Sequence, residues 1–488
     1  MTVDNIDTSQ AIADIKRLLQ EDKSLSPALR TAIEIMIFLV TVLTNRLGLN
    51  SRNSSKPPSS DFGQGKKGNE EKHKDDNKTK ESQSKRKPGG QPGRNGVTLE
   101  IVKDPDEIIP LSIDRRKLPK EGHYQPGGVE IRQVFNVRFK RFVIEYQAEI
   151  LIDEQGNRYV ASFPDEVGNK TQFAAEVKSH AVYLSQYQLL PYERIAQYFS
   201  DLASLPISPG SLCNFNQKAY DLLEAFDGIA KQRLIQGEML IGAMLNTDET
   251  GINVNGKTIW LHVACNTKWT YFYPHAARGK EAMDEMGILP TYRGTLCHDH
   301  WKAYFQYEEC EHALCNAHHL RELERAWEQD EQQWAKNMAA LLIEMRDAAE
   351  AAGGALSEEA AKPLIKRYRG LLTRGDKECP RNTQRVDGKR GKIAQTKSRN
   401  LLERLRDYEE EALRFLTNPE VPFTNNLGEN DIRMTKVQQK VSGCFRSMNG
   451  AKIFCRIRSF LVTCRKHGVS PAKALSDLFA GKLPDFVT

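Results

Sequence analysis

Three acidic residues, far apart in the chain, each lie in a setting that suits a divalent metal ion and a nucleic-acid phosphate. They are Asp248 in LNTDETGINV, Asp299 in GTLCHDHWKAY and Glu429 in FTNNLGENDIRMTKVQQK. Hard cations such as Mg²⁺ prefer carboxylate oxygens to thiols or imidazoles. Two such ions about 4 Å apart stabilise the attacking and leaving oxygens of an in-line phosphoryl transfer. Two aspartates and a later glutamate are the minimum ligand set for that chemistry.

Apolar runs before the two aspartates predict the strands that must position them. Residues 239–245 form an apolar run that ends in polar Asn246-Thr247-Asp248, which predicts a buried strand with Asp248 at its C-terminal edge. Residues 294–298 form a similar short run that ends at Asp299. Between them, residues 258–264 and 269–273 are rich in β-branched and aromatic residues and predict two more strands. The predicted local order is strand, strand, strand, helix, strand.

Glu429 lies in a segment that predicts a helix. Asn425 and Asn426 can cap that helix, and one face then carries an acid followed by three cations at i, i+4, i+7 and i+11: Glu429, Arg433, Lys436 and Lys440. Such a face could place Glu429 on the metal ions while the cations hold a phosphodiester strand. The alternative is a solvated helix with ordinary ion pairs such as Glu429 with Arg433. The conjunction of two strand-end aspartates with a helical glutamate favours the first interpretation.

Several long and compositionally unusual motifs extend this pattern along most of the chain. They are NSSKPPSSD, KRKPGGQPGRNG, TDETG, HVACNTKWTYFYPHAARGKEAM, HDHWKAY, HALCNAHHLREL and NNLGEN. With these motifs the chain resembles the sixty-six family of bacterial insertion-sequence transposases. The resemblance implies an α/β fold with an RNase H-like mixed sheet as the catalytic core. It also implies a DDE triad at Asp248, Asp299 and Glu429, the same three residues that the chemistry selects.

The resemblance implies a function and its requirements. We expect a DDE transposase that binds double-stranded DNA at the ends of an insertion sequence and catalyses metal-dependent strand cleavage and strand transfer into target DNA. Two Mg²⁺ or Mn²⁺ ions in each active site, a homo-oligomer of at least two copies on DNA, and accessory proteins from the same element are further expectations. A metal-dependent nuclease or resolvase without strand joining, and an inactive DNA-binding relic, are the alternatives.

The sequence departs from the family pattern in two places. The first cysteine is Cys213, so residues 120–158 lack the thiolates of the small zinc-binding segment that family members often carry, and only His123 is available there. That segment alternates apolar and polar residues, which predicts a hairpin or small sheet. The second departure is Asn425, which occupies the place of an arginine that precedes the glutamate in a common transposase signature.

Charge is distributed unevenly along the chain. The formal net charge of the 488 residues is +6, but residues 423–467 contain nine Lys or Arg against two Asp or Glu, and residues 51–100 contain twelve against seven. Local basic stretches are typical of polyanion-binding surfaces, although a solvated basic face has the same composition. The candidate DNA-binding residues are Arg433, Lys436, Lys440, Arg446, Lys85, Arg86, Lys87 and Arg94.

Composition also bears on location. No secretory signal is visible, and the most apolar run, residues 35–40, is much shorter than the ~20 residues of a spanning helix. Nine irregularly spaced cysteines without a signal peptide favour reduced thiols. We therefore expect a cytoplasmic protein with no membrane partner.

Patterns of periodicity and composition divide the chain into candidate domains. We predict an N-terminal helical segment for oligomerisation or DNA binding (1–50), a basic flexible linker (51–97), a small β-rich domain (98–170) and a helical domain (171–235). The catalytic core would comprise 236–320 and 420–445, with a helical insertion at 321–419 and a helical C-terminal region at 446–488. Residues 192–220 fit a helix-turn-helix unit, and two ordinary packed helices fit as well.

One cluster of potential metal ligands lies just after Asp299. Its members are Cys310, His312, Cys315, His318 and His319, whose spacings are compatible with zinc ligation. The same residues also fit a single helix whose His and Cys side chains pack or contact DNA, so the sequence leaves zinc binding open.

Overall fold

A computed structural model describes residues 2–3, 6–21, 25–47, 99–118, 120–121, 123–125, 127–137, 139–237, 244–383 and 393–487. The chain forms two compact units, one made of Met1–Gly65 with Glu145–Thr488 and the other of Lys66–Ile144. All of the predicted site residues that the structure describes lie in the first unit.

The N-terminal segment consists of a short hairpin and two helices: β1 (Thr2–Val3), β2 (Ile6–Asp7), α1 (Thr8–Glu21) and α2 (Pro27–Leu47). Within the described part of the chain, only α2 contains a window, Pro27–Thr44, long and apolar enough to cross a membrane, and 6% of that window is buried. The sequence-based expectation counted only residues 35–40 and overlooked this window. Core helices of soluble proteins can be as long and as apolar, so length and composition alone do not place α2 in a membrane.

Little of the segment predicted as a small β-rich domain, residues 98–170, forms strands in its described part. Its described residues contain only a hairpin of two three-residue strands, β3 (Ile150–Ile152) and β4 (Arg158–Val160). In the described part of residues 129–149 no strand is present, and Val134 and Phe142 are 93% and 84% exposed. Period-two alternation indicates a strand only when a neighbouring strand provides hydrogen-bond partners and a surface to cover.

Between β4 and the main sheet, the described residues form four α-helices: α3 (Ala175–Val182), which continues into a π-helical turn at Tyr183–Tyr187, α4 (Tyr192–Ala203), α5 (Pro209–Leu222) and α6 (Glu224–Gln236). Two of them, α4 and α5, coincide with the predicted helix-turn-helix. The apolar face of α5 is buried at Leu212, Phe215 and Ala219. Gln217 of α5 donates a hydrogen bond to Asp221 and accepts one from Asn449. Its amide is therefore already bonded within the protein.

The main sheet has five strands: β5 (Met244–Val254), β6 (Lys257–Cys265), β7 (Thr270–His275), β8 (Thr295–His298) and β9 (Glu311–Leu314). Their spatial order is β7-β6-β5-β8-β9. The pairs β5–β6 and β6–β7 are antiparallel, whereas β5–β8 and β8–β9 are parallel. The crossover from β7 to β8 contains α7 (Lys280–Met286). The fold class is therefore mixed α/β, as the sequence predicts.

A helical segment separates β9 from the third acid. It comprises α8 (Asn316–Asp330), α9 (Gln333–Ala351), α10 (Glu358–Glu378), α11 (Lys397–Asp407) and α12 (Glu409–Leu413). Its core of Trp334, Met338, Tyr368 and Leu402 is continuous with Cys297 and Ala313 of the sheet. The chain then forms α13 (Asn426–Ser442), α14 (Met448–Lys466) and α15 (Pro471–Phe479). Helix α13 packs on β5 and β6, and α14 packs on β7.

Candidate active site

The register of two parallel strands brings the two aspartates level with each other. Asn246 of β5 pairs with Cys297 of β8, and Asp248 and Asp299 each follow two residues later. Asp299 lies just beyond the end of β8, as predicted. Asp248, by contrast, lies inside β5, because β5 continues to Val254 in its antiparallel pairing with β6. The prediction of a strand ending at Asp248 was wrong because strand pairing, rather than local apolarity, determines where β5 ends.

Asn425 attaches the third acid to the same strand. Its buried side chain accepts a hydrogen bond from Asn246 Nδ2 at 2.7 Å and donates one to the Thr247 carbonyl at 2.8 Å. The carboxamide therefore binds β5 and makes no capping bond to α13. A Cβ at Gly428 would lie 3.1 Å from Asn425 Oδ1, so the glycine leaves room for this contact. Together these residues place the first turn of α13, which carries Glu429, beside Asp248.

The charges of Asp299 and Glu429 both act on the carboxyl group of Asp248. Burial raises the pKa of Asp248 well above its usual value, and the charges of Glu249, Asp299 and Glu429 raise it further. The backbone N–H of Glu249, which donates to Asp248 Oδ1 at 2.8 Å, offsets part of this rise. Like charges close together in a poorly solvated site favour the protonated form. A bound cation would relieve the same repulsion.

A fourth carboxylate, that of Glu249, lies next to Asp248 in β5 and is paired with a cation. Its side chain is 2% exposed and accepts hydrogen bonds from Arg278 Nε and Nη2 at 3.0 and 2.6 Å. Tyr304 donates to its other oxygen at 2.5 Å. The Arg278 guanidinium lies 4.7 and 4.4 Å from the ring centroids of Trp260 and Trp301. This arrangement fixes the position of the strand residue next to Asp248.

The histidines beside Asp299 face the interior. His298 is fully buried, its Nε2 lies 2.9 Å from His312 Nδ1, and its Nδ1 contacts the Asp299 carbonyl oxygen. Burial lowers the pKa of His298 to about 3 and that of His300 to about 4. Both rings are therefore neutral at pH 7. Asp299 itself accepts the backbone N–H of Trp301 at 2.8 Å, which orients its carboxylate.

Three side chains from the start of α8 surround Glu429. Cys315 Sγ lies 3.5 Å and His318 Nδ1 3.8 Å from Glu429 Oε1, and Arg321 Nη2 lies 3.8 Å from Oε2. Among the residues that the structure describes, Cys315, His318 and Glu429 meet the distance criterion for a shared ion, with their ligand atoms within 4.8 Å of one another. Cys310 and His312 do not join this group.

The predicted DNA-binding residues divide into two sets. Arg433, Lys436 and Lys440 are exposed on α13, and Arg446 is exposed after it. Lys436 Nζ donates to the Gly251 carbonyl at 2.5 Å, so its ammonium lies against β5, the strand that carries Asp248. The other set, Lys85, Arg86, Lys87 and Arg94, lies outside the described residues.

Sequence reasoning missed several residues of the site. The acidic neighbour in TDET was a visible signal for Glu249, but nothing local indicated its pairing with Arg278 and Tyr304. Asn425 was recognised as a possible cap and as a departure from a transposase signature, but not as a contact to β5. The contact of Cys315 and His318 with Glu429 spans more than 110 positions, so no local pattern could have indicated it.

Two family models match parts of the chain. The sequence model of the Transposase IS66 family matches residues 170–453, which is more than half of the chain and includes all three acids. Residues 2–100 match a second family, whose function is unknown. No curated protein matches the chain.

Proposed function

The chain belongs to the Transposase IS66 family, and we propose that it is a DDE transposase whose acids are Asp248, Asp299 and Glu429. In this proposal it binds the ends of an insertion sequence, cleaves DNA strands in the presence of a divalent metal ion, and joins the released ends to target DNA. The family assignment supports a transposase role, and the details of the chemistry are our inference from the site.

The observation that carries the proposal is that the fold brings the carboxylates of Asp299 and Glu429 close to that of Asp248. Asp299 and Glu429 are 51 and 181 positions away in the sequence, yet the charge of each raises the pKa of Asp248. Folded proteins seldom bury like charges together without a compensating ligand. A site in which acids from two strands and a helix repel one another is suited to a cation.

The donor set fits Mg²⁺ or Mn²⁺. Carboxylate oxygens are the ligands that these hard cations prefer, and Asp248, Asp299 and Glu429 would hold two ions. When bound, such ions stabilise the charge on the attacking and leaving oxygens of phosphoryl transfer. The remaining residues determine geometry: Asn425 holds α13 against β5, and Glu249, Arg278 and Tyr304 hold the β5 backbone next to Asp248.

The reaction that we propose has two steps. In the first, water attacks the scissile phosphodiester, the bond from phosphorus to the bridging 3′ oxygen breaks, and a 3′-hydroxyl and a 5′-phosphate result. In the second, that 3′-hydroxyl attacks a target phosphodiester, forms a new bond to phosphorus, and releases a target 3′-hydroxyl. The number of phosphodiester bonds is conserved in the second step, so no covalent protein intermediate and no external energy source are needed.

The topology of the sheet supports an RNase H-like core. Three antiparallel strands, β5 to β7, are extended on one side by the parallel strands β8 and β9. Asp248 lies on β5, Asp299 directly follows the adjacent parallel strand β8, and Glu429 comes from a helix packed on β5. The helices α8 to α12 would then form an insertion between the second and third acids.

The exposed cations near the acids support DNA binding. Arg433, Lys436 and Lys440 follow Glu429 on α13, and Lys and Arg side chains position DNA by contacting phosphates. We propose that they hold the strand whose phosphodiester is cleaved.

A cleavage and joining assay tests the proposal. The purified chain is incubated with Mg²⁺ or Mn²⁺ and DNA that carries the flanks of its own gene, with and without the products of neighbouring genes. We expect new 3′-hydroxyl ends and joined product, both lost in Asp248→Asn, Asp299→Asn and Glu429→Gln. Glu308→Gln, which alters an exposed acid between β8 and β9, serves as the matched control and should retain activity.

Each outcome has a distinct meaning. Cleavage without joining would replace the transposase proposal with a nuclease. Retained cleavage in any one of the three variants would remove that residue from the triad. End binding by gel shift without any cleavage, under all metal and partner conditions, would identify an inactive DNA-binding relic.

A further inference from the structure

We propose that Cys315, His318 and Glu429 form a binding site for a thiophilic divalent cation of the Zn²⁺ class, distinct in its ligand chemistry from the all-carboxylate site. The sulfur, imidazole and carboxylate ligands come from the start of α8 and the first turn of α13. Mg²⁺ does not favour thiolate ligands, whereas Zn²⁺ binds Cys, His and Glu together.

The separations between the ligand atoms suit a tetrahedral ion. Zinc bonds of about 2.3 Å to sulfur, 2.0–2.1 Å to nitrogen and 2.0–2.2 Å to oxygen, at tetrahedral angles, place sulfur about 3.6 Å and nitrogen about 3.4 Å from the oxygen. Glu429 Oε1 lies 3.5 Å from Cys315 Sγ and 3.8 Å from His318 Nδ1. Both separations from Oε1 are therefore within a few tenths of an ångström of the tetrahedral values, and all three ligand atoms lie within 4.8 Å of one another. Three protein ligands leave the fourth position for water, as in open zinc sites.

The ligand atoms are already oriented for this role. Cys315 is the N-cap residue of α8, and His318 lies in the first turn of that helix. The backbone N–H of Asn425 donates to Cys315 Sγ at 3.1 Å, which would stabilise a metal-bound thiolate. His318 Nδ1 is shielded from solvent and has no hydrogen-bond partner among the described residues. A buried imidazole nitrogen without a partner is an uncommon and costly arrangement, and a metal ion would satisfy it.

Glu429 can serve this ion without losing its other contact. Its Oε1 faces Cys315 and His318, while its Oε2 faces Arg321 at 3.8 Å. An ion on Oε1 therefore leaves the ion pair with Arg321 in place. Because Glu429 also belongs to the proposed DDE triad, a cation bound to Cys315 and His318 would compete with the catalytic ions for one carboxylate. Inhibition of strand cleavage by Zn²⁺ in the presence of Mg²⁺ follows, and this consequence alone rests on the proposed function.

Cobalt binding tests the site without DNA or activity. The full chain, stripped of metal by a chelator, is titrated with Co²⁺, and thiolate ligation is read from the sulfur-to-cobalt charge-transfer absorption. We expect one equivalent of Co²⁺ with this absorption, displaced by Zn²⁺. Cys315→Ser should abolish the band, and His318→Ala and Glu429→Gln should weaken binding by roughly tenfold or more, at least the loss seen for outer-shell changes.

The control variants separate this site from other candidates. Cys310→Ser changes a buried cysteine whose sulfur is 4.0 Å from His312, and it should leave the band unchanged. Ions bound by the exposed group His275, Glu281 and Glu285 would give no sulfur band, because that group has no thiol. The unfolding curve of each variant is also measured. If Cys315→Ser does not fold, His318→Ala carries the test, provided that its unfolding curve matches that of the wild type.

Two results would overturn the proposal: wild-type protein without a sulfur band, or a band that survives Cys315→Ser or is unaffected by His318→Ala. A wild-type band in a chain that never cleaves DNA would support the cation site and count against the proposed transposase activity. DNA cleavage that depends on Glu429 and is insensitive to Zn²⁺, in a protein without a cobalt band, would support the proposed activity and refute the cation site.

Discussion

Replacing Asn425 by alanine should separate the position of Glu429 from its chemistry. Asn425 is 2% exposed, and its carboxamide makes two buried hydrogen bonds to β5, one to Asn246 and one to Thr247. Truncation removes the partner of two buried groups, the Asn246 side-chain amide, which donates, and the Thr247 carbonyl, which accepts. The first turn of α13 then loses its polar attachment to the strand that carries Asp248, although Glu429 itself is unchanged.

The size of the effect follows from these two bonds. Leaving a buried polar group unpaired costs about 1–3 kcal/mol. Water can enter the vacated space and pair with part of the two groups, so we expect the free energy of unfolding to fall by about 2–4 kcal/mol. A displacement of the reacting groups by about 1 Å can reduce a catalytic rate about 100-fold. Strand cleavage should therefore fall by roughly that factor at a temperature where the variant is still folded.

Urea unfolding and strand cleavage are measured in parallel on Asn425→Ala and on Asn426→Ala. Asn426 is the exposed neighbouring residue in the same helix turn and should change neither quantity appreciably. Equal stability of the two variants would refute the hydrogen-bond argument. A destabilised Asn425→Ala protein with wild-type cleavage and wild-type stabilisation by Mg²⁺ would refute the role of Asn425 in positioning Glu429.

Three further predictions concern the same cluster. Asp248→Asn should stabilise the metal-free protein at pH 7, because the folded pKa of Asp248 is raised. In the wild type, folding favours the protonated form of Asp248. The folded state therefore loses stability as the pH rises from the pKa of Asp248 in the unfolded chain to its higher pKa in the folded protein. The difference in unfolding free energy, measured in chelator, should thus grow across that window, and a constant difference would contradict the assignment. Gly428→Ala should reduce cleavage despite a better helix propensity, because its Cβ meets the Asn425 carboxamide; increased stability with full activity would show that the carboxamide adjusts. Arg278→Met should lower the unfolding free energy by about 2–4 kcal/mol, because Glu249 stays buried without its cation; a change below about 0.5 kcal/mol, the range of ordinary surface substitutions, would refute that pairing.

Local patterns in the sequence predicted the elements that depend on neighbouring residues. The helices at 192–203, 209–222 and 426–442 appear where apolar periodicity and turn residues indicated them. The chemistry of metal ions selected Asp248, Asp299 and Glu429 without a structure, because carboxylates are recognisable by type. The order of strands around Asp248 and Asp299 was likewise predictable, since each strand carries its own β-branched and aromatic composition.

Other features depended on partners distant in the sequence. Pairing with β6 extends β5 through Asp248 to Val254, and the absence of a paired strand leaves residues 129–149 without the predicted sheet in their described part. Only the fold brings Asn425 to Thr247 and brings Cys315 and His318 to Glu429. A sequence specifies which groups can ionise, donate or ligate. The pKa of Asp248 and the ligand set around Glu429 depend on distances between charges and on burial, which exist only after the elements have packed.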